Sequence, residues 1–299
     1  MVKCIVFKEG IAEIFEGDYL NNSSVMWLSF EKNEPMINFE LKKILNADNS
    51  IIDDLLEEQR SNIIKFEDFS VVVLSFPKKK SEILQVTFII SKKRIISIVD
   101  NKSEIIDDIF RSVVKSKGIL GITNLFSFIL DRLVERSVLV LNKLEDKLEE
   151  KEKLIFLSKK NKLFLFENNE IKDNLYYLSK ILKSDLEVIN EILEDKISFL
   201  NLKYFGEHIQ DRFLYLLDSC ESLREFINSI NNSYMSAINF DTNNTIYKLT
   251  IIGSLLIIPS IISGFFGMNV NLPPLSFFEI LGLTVVLSIG SYFILRLRF

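Results

Sequence analysis

The stretch that decides the fold is LTIIGSLLIIPSIISGFFGMN, residues 249–269. No charged residue occurs from Leu249 to Met268, and at about 1.5 Å per residue this segment is long enough to cross a hydrocarbon core of roughly 30 Å. A second apolar run, 275–295, is interrupted only by Glu279. A short polar turn separates the two runs, so the sequence predicts a two-helix membrane hairpin rather than two buried core helices.

Flanking charges predict the orientation of this hairpin. Lys248 precedes the first run, and Arg296 and Arg298 follow the second. Because positive charge is retained on the cytosolic side of membranes, both ends of the hairpin are expected in the cytosol and the turn outside. The opening residues, 1–8, are charged too early for a signal peptide, so the N-terminal part should also stay in the cytosol.

Composition argues against several classes of function. The net charge of -5 over 299 residues does not suit a nucleic-acid-binding protein. Cys4 and Cys220 are far apart and form neither a zinc motif nor a disulfide framework. His208 is the only histidine, and no Walker loop, nucleotide fingerprint or nucleophile–base pair is recognisable. We therefore expect neither an enzyme nor a bound nucleotide or organic cofactor.

The first 122 residues mix strand and helix patterns. Short runs rich in β-branched and aromatic residues predict strands at 2–7, 25–30, 71–76, 85–91 and 94–99. Helical patterns lie between or after them at 38–47, 51–58 and 104–115. This alternation predicts an α/β layer domain in which helices pack on a sheet.

Strand patterns end after about residue 123. Helices are predicted at 123–153 and 172–201, followed by one continuous helix over 204–268, which would be about 95 Å long. Apolar residues in this last helix alternate at three- and four-residue spacing and form a seam for packing against other helices, either within the subunit or between subunits: Phe213, Leu216, Cys220, Leu223, Ile227 and Ile230.

These predictions combine into an α+β membrane protein. A cytosolic α/β domain (1–122) is followed by a helical stalk (123–248), the first membrane helix (249–268), an outer loop (269–276), the second membrane helix (277–295) and a basic cytosolic tail (296–299). The polar cluster at 236–245, just before the apolar run, fits either a hydrated pore mouth or a fraying helix at the lipid headgroups.

The sequence resembles the CorA family of metal-ion transporters over nearly its whole length. Gly267-Met268-Asn269 stands where that family has its signature, at the end of the first membrane helix of a C-terminal pair. The approach to it, Lys248-Leu249-Thr250 with Pro259 and Gly264, is also similar, as are DLLEEQR at 54–60 and LEDKLEE at 144–150. The position of the tripeptide makes the resemblance specific.

This resemblance implies a funnel-shaped homopentamer in the plasma membrane whose first membrane helix lines a pore for divalent cations. Gly267, Met268 and Asn269 would form the selectivity filter. By register from this signature, the further pore-facing residues would be Asn243, Ile246, Leu249, Ile257 and Ser260.

The chemistry of these residues suits a hydrated ion. Mg²⁺ sheds its water reluctantly, so a ring of Asn269 carboxamides can accept hydrogen bonds from the water shell without adding charge that would trap the ion. Ser260 could provide a polar resting point, while Ile246, Leu249 and Ile257 would form apolar rings that block ions by dewetting when narrow.

Two positions depart from the family pattern. The outer loop at Pro273-Pro274 lacks the Glu that is common in the family, so we do not expect an acidic loop to capture external cations. The family's metal-sensing carboxylate falls near His208, which leaves Glu207 and Asp211 as candidate regulatory ligands for Mg²⁺, with His208 itself better explained as a surface histidine.

Two alternative functions remain open at this point. A protein of the same fold could carry zinc, cobalt or nickel, although the predicted pore offers no soft ligand for them. A membrane-anchored scaffold with a coiled-coil stalk would also explain the seam and the hairpin, but it would give Asn269 no task.

Overall fold

The computed structural model describes residues 3–8, 11–15, 24–34, 36–57, 60–78, 82–101, 103–116, 118–119, 121–155, 162–197, 200, 206–268 and 275–298. They fall into two compact units: one comprises the chain up to Leu154 together with 161–230, and the other is built mainly from 231 onward. We treat each unit separately below.

A mixed sheet forms the first unit. In the described residues it has seven strands: β1 (Lys3–Lys8), β2 (Ile11–Ile14), β3 (Val25–Glu31), β4 (Asn62–Lys65), β5 (Phe69–Pro77), β6 (Ile83–Ser91) and β7 (Arg94–Val99). Their order is β2-β1-β3-β7-β6-β5-β4. Only the β3–β7 pair is parallel, with Trp27 opposite Ile95; the other neighbours are antiparallel.

The five predicted strands are confirmed, and β2 and β4 are additions. Both added strands have four residues and lie at the two edges of the sheet. A run this short carries little period-two signal, and it becomes a strand because β1 or β5 supplies its backbone partners.

The helices are α1 (Ile37–Leu45), α2 (Asn49–Leu56), α3 (Glu104–Lys115), α4 (Ile122–Leu154), α5 (Lys162–Glu191, continued by a π-helical turn at Ile192–Lys196), α6 (Gly206–Phe266) and α7 (Phe277–Arg298). The predicted start of α5 at 172 was wrong, because the helix begins at Lys162. The early start is held by α4: the Lys151 ammonium donates to Glu167 at 3.0 Å and to Asn168 at 3.3 Å.

The core is built on both faces of the sheet, because successive strand residues point to opposite sides. On one face, Val71 and Val73 belong to a buried cluster with Leu41 of α1 and Leu55 of α2. On the other face, aromatic side chains meet the later helices: Phe88 contacts Phe126 of α4, Trp27 contacts Phe110 of α3, and Phe76 contacts Phe213 of α6. Burial on both faces explains why β5 reads as a continuous apolar run.

The long predicted helix is confirmed as α6, which has 61 residues and contains Pro259. The seam left open above packs within the subunit, since all six of its residues are buried in the single chain and Phe213 lies 5.9 Å from Phe76 between ring centroids. Burial on this side ends at Tyr234, and most residues beyond it are exposed or half buried.

Candidate functional site

The C-terminal parts of α6 and α7 expose large apolar side chains. Among the described residues, α6 is long and apolar enough to cross a membrane, and α7 contains a shorter apolar stretch, Phe277–Phe293. Exposed examples are Ile252, Leu256 and Phe265 on α6 and Phe278 and Val286 on α7. So much contiguous apolar surface is unfavourable in water and indicates burial in lipid or against other subunits.

One side of α6 lies against α7. Ile258, Ile261 and Ile262 of α6 and Val286, Leu287, Gly290 and Ser291 of α7 line one apolar groove. The half-buried α6 residues of this region follow helical spacing and share that side: Ile251, Ser254, Leu255, Ile258, Ile262 and Phe266.

The opposite side of α6 carries the residues that the sequence predicted as pore-facing. At about 100° of rotation per residue, Ile246, Leu249, Ile257 and Ser260 fall on one stripe roughly opposite the α7 contact. All four are exposed in the single chain; Ile257, for example, is 56% exposed and Leu249 is 63% exposed. Asn243, also exposed, lies at the margin of this stripe. We call this stripe the open face of α6.

Charge is absent from the open face. Between residues 231 and 268 the only charged residues are Asp241 and Lys248. They are seven residues apart and therefore share another side of the helix, about 140° from the middle of the open face. A cation moving along the open face would meet neutral side chains only.

Ser260 has a fixed hydroxyl. Its Oγ donates to the Leu256 carbonyl oxygen at 2.9 Å, and Thr250 donates in the same way to Ile246 at 2.9 Å. Since the proton is used within the helix, the free lone pairs of Ser260 can accept hydrogen bonds from water.

The filter tripeptide is described only in part. Gly267 donates its N–H to the Ser263 carbonyl at 2.9 Å, and a Cβ at this position would stand 3.1 Å from that oxygen. The close approach expected of this glycine is therefore present, without left-handed backbone. Met268 is 56% exposed, so the described residues do not provide the packing expected for it. Asn269 lies outside the described residues.

Glu279, which the sequence placed near the outer turn, has a structural role. Its carboxylate accepts hydrogen bonds from the Ser276 N–H at 2.7 Å and the Ser276 hydroxyl at 3.0 Å, and the Glu279 N–H points back to Ser276 Oγ at 3.4 Å. This reciprocal pair is a capping box that begins α7. Our sequence analysis missed it, although the Ser-x-x-Glu spacing at 276–279 is its signal.

The candidate regulatory residues lie at the start of α6. Glu207 and Asp211 are both exposed and one helical turn apart. His208 lies with Nε2 3.6 Å from an Asp131 oxygen, and Arg212 forms an ion pair with the same carboxylate. Within a single chain, no trio of His, Cys, Asp or Glu side chains that could hold a metal occurs in the described residues.

A soluble α/β layer domain that continues through one long helix into exposed apolar segments defines a class of integral membrane protein. Within this class, the chain matches the sequence model of the family described as CorA-like Mg²⁺ transporter protein over residues 22–297. The chain therefore belongs to this family, as its sequence resemblance predicted, and the family is one of transporters rather than enzymes.

Individual relatives agree with the family. The Cobalt/magnesium transport protein CorA of Thermotoga maritima is 23% identical over 236 residues, which cover 75% of this chain and 67% of that protein. The complete structure of the CorA magnesium transporter from Methanocaldococcus jannaschii superimposes with a TM-score of 0.83 at 19% identity, covering 100% of this chain and 97% of that one.

A relative of different specificity shares part of the fold. The crystal structure of the ZntB cytoplasmic domain from Vibrio parahaemolyticus matches with a TM-score of 0.64 at 13% identity, over 79% of this chain and 97% of that domain. At this identity the match bears on the fold alone.

Proposed function

We propose that the protein is a homopentameric channel that lets hydrated Mg²⁺ flow into the cytosol. In this proposal α6 and α7 form a transmembrane hairpin in the plasma membrane with both chain termini in the cytosol. The open faces of five α6 helices surround the pore, and the α7 helices lie outside them.

The observation that carries the proposal is the position of the open face. A pore-lining helix needs one side free of its own hairpin partner and free of charge that would hold a divalent ion. The stripe through Ile246, Leu249, Ile257 and Ser260 meets both conditions, since α7 lies on the other side and Asp241 and Lys248 are turned away.

Asn269 would select the ion at the outer end. Five carboxamides can accept hydrogen bonds from the water shell of Mg²⁺, which the ion releases reluctantly. Further in, Ile257, Leu249 and Ile246 would form apolar rings whose width decides whether water and ions pass. Ser260, between the filter and these rings, would give the ion a polar contact through its free lone pairs.

Flow would need no nucleotide, because the membrane potential supplies the energy. A divalent ion gains about 4.6 kcal/mol on crossing 100 mV, twice the value for a single charge. The expected direction with a negative interior is therefore inward.

The test is Mg²⁺ uptake into proteoliposomes that contain a Mg²⁺-sensitive dye, with and without an inside-negative potential. We expect uptake driven by the potential, and its loss in Asn269→Ala. Asn244→Ala is the matched control, because Asn244 is exposed on α6 but lies off the open face. A wild-type protein that conducts no Mg²⁺, Co²⁺, Ni²⁺ or Zn²⁺ would refute the channel and favour a membrane-anchored scaffold.

Zinc transport is the second candidate, supported by the likeness of the soluble part to the ZntB cytoplasmic domain. The residues of the open face speak against it, because none is a His or Cys that would favour a softer ion. Uptake of Zn²⁺ alone, measured in the same vesicles with a zinc dye, would keep the fold and overturn the proposed substrate.

We also propose that cytosolic Mg²⁺ regulates the channel by bridging Glu207 and Asp211 between subunits. Neutralising both residues together, Glu207→Gln with Asp211→Asn, should weaken the inhibition of Mg²⁺ currents by internal Mg²⁺. Glu225→Gln, also exposed on α6, serves as a control. Unchanged inhibition in the double variant would place the sensor elsewhere.

A further inference from the structure

The open face of α6 continues toward the N-terminus as a row of neutral side chains. Asn232, Met235, Asn239 and Asn243 precede Ile246 at spacings of three or four residues, the spacing that keeps side chains on one side of a helix. All of them are exposed, including Met235 at 44%. We call Asn232, Asn239 and Asn243 the asparagine row.

The chain itself does not cover this row. The nearby residue that α6 buries is Tyr234, which is 3% exposed. Tyr234 and Asn239 are five residues apart, so their side chains leave the helix about 140° from each other. A solvated surface would also be exposed, but its polar residues need not continue the stripe on which Ile246, Leu249 and Ile257 lie.

The row is also neutral in a chain where charge is common. Asp241 is the only acidic residue between 231 and 268, and it lies about 160° around the helix from Asn243. Carboxamides can accept hydrogen bonds from metal-bound water and donate to bulk water, whereas carboxylates would bind the divalent ion itself. Uncharged amides therefore favour passage of a hydrated ion over its retention.

From these observations we infer that the asparagine row lines a cytosolic extension of the ion path, in which the ion stays hydrated after it leaves the apolar rings. This inference rests on the proposed pentameric channel. From Ile246 to Asn232 the extension would be about 21 Å long. Asn232 and Asn239 are then ion-path residues of the stalk rather than ordinary surface residues.

Introduced cysteines can test the row, because the native cysteines are shielded. Cys4 and Cys220 are both buried. Burial raises the pKa of the Cys4 thiol to about 11 and that of the Cys220 thiol to about 12. Since the thiolate is the reactive form, a thiol reagent should report on an introduced cysteine with little background.

The experiment compares three variants in proteoliposomes, Asn239→Cys, Asn244→Cys and Ile257→Cys, with a small cationic methanethiosulfonate present on both sides. Asn244 is the matched control, since it is exposed on α6 about 140° from Asn239. We expect modification of Asn239→Cys to reduce Mg²⁺ uptake to about a tenth, because five fixed positive charges would oppose a divalent cation. Excess Mg²⁺ should slow the modification, and modified Asn244→Cys should conduct normally.

The Ile257→Cys variant separates failure of this inference from failure of the channel proposal. If the reagent blocks Ile257→Cys while labelled Asn239→Cys and Asn232→Cys conduct normally, the pore stands and the extension is refuted. If none of the three is blocked although mass spectrometry confirms labelling, the open face does not line a pore. Block of Asn244→Cys to the same extent would show that charge anywhere on this part of α6 is sufficient, which also overturns the assignment of the row.

Discussion

At the scale of single residues, one buried carboxylate has no counterpart in the sequence analysis. Asp185 of α5 is completely buried against the sheet, where both of its oxygens accept the Ser75 N–H of β5 at 3.2 Å. Its burial raises the pKa of this carboxyl group to about 7, more than the hydrogen bonds from Ser61 and Ser75 lower it. Helical periodicity would place an apolar residue there, so only the contact with β5 explains an acid.

This carboxyl group predicts how stability depends on pH. The folded state binds the Asp185 proton more tightly than the unfolded state, whose pKa is near 3.8. Stability should therefore fall as the pH rises from about 4 to about 7, by on the order of 1 kcal/mol per pH unit, and the loss should be complete above pH 7. Asp185→Asn keeps an oxygen acceptor for Ser75 and should remove this part of the slope.

Urea unfolding of the purified protein in detergent at pH 5 and pH 8 measures the effect. The comparison is with Asp173→Asn, an exposed acid of the same helix, which should keep the wild-type slope. If Asp185→Asn and wild type lose equal stability between the two pH values, Asp185 does not titrate in this range.

At the scale of elements, α7 illustrates how a charge near a membrane can be structural. Ser276 and Glu279 satisfy backbone and side-chain groups at the start of the helix, where N–H groups have no partner within the helix. The same carboxylate could be read as an attractor for external cations, so the two roles need to be separated.

Two substitutions of Glu279 separate these roles. Glu279→Gln removes the charge and keeps a capping acceptor, so uptake of Mg²⁺ should stay close to wild type. Glu279→Ala removes the cap and should destabilise the protein by about 1 kcal/mol in thermal unfolding in detergent. If Glu279→Gln lowers Mg²⁺ uptake as much as Glu279→Ala does, the charge rather than the cap matters.

At the scale of the whole molecule, the open face has a meaning only in an assembly. In one chain Ile257 and Ile252 are almost equally exposed, at 56% and 55%. Their directions differ, because Ile257 belongs to the open face and Ile252 lies about 140° away around the helix. In the proposed pentamer, Ile257 would form an apolar ring and Ile252 would contact lipid or a neighbouring helix.

This pair gives a matched test of the apolar rings. Ile257→Ser should increase Mg²⁺ uptake several-fold, because a hydroxyl ring hydrates a constriction that isoleucine keeps dry. Ile252→Ser changes the same side chain at the same exposure and should leave uptake near the wild-type rate. Equal effects of the two substitutions in the proteoliposome assay would contradict the assignment of the open face to the pore.

The sequence by itself determined the features that depend on local pattern. Uninterrupted apolar length predicted the membrane segment, period-two runs predicted five strands, and unbroken helical spacing predicted α6 to within two residues at each end. The position of Gly267-Met268-Asn269 after an apolar helix indicated the family and the register of the open face.

Only the tertiary structure decided the features that depend on partners distant in the sequence. The seam through Phe213 became an intrasubunit contact because Phe76 lies against it, and the edge strands β2 and β4 formed because neighbouring strands paired with them. The buried Asp185 depends on an N–H group 110 residues away. Periodicity reports which side of an element is apolar, but the partner of that side is set by how the whole chain packs.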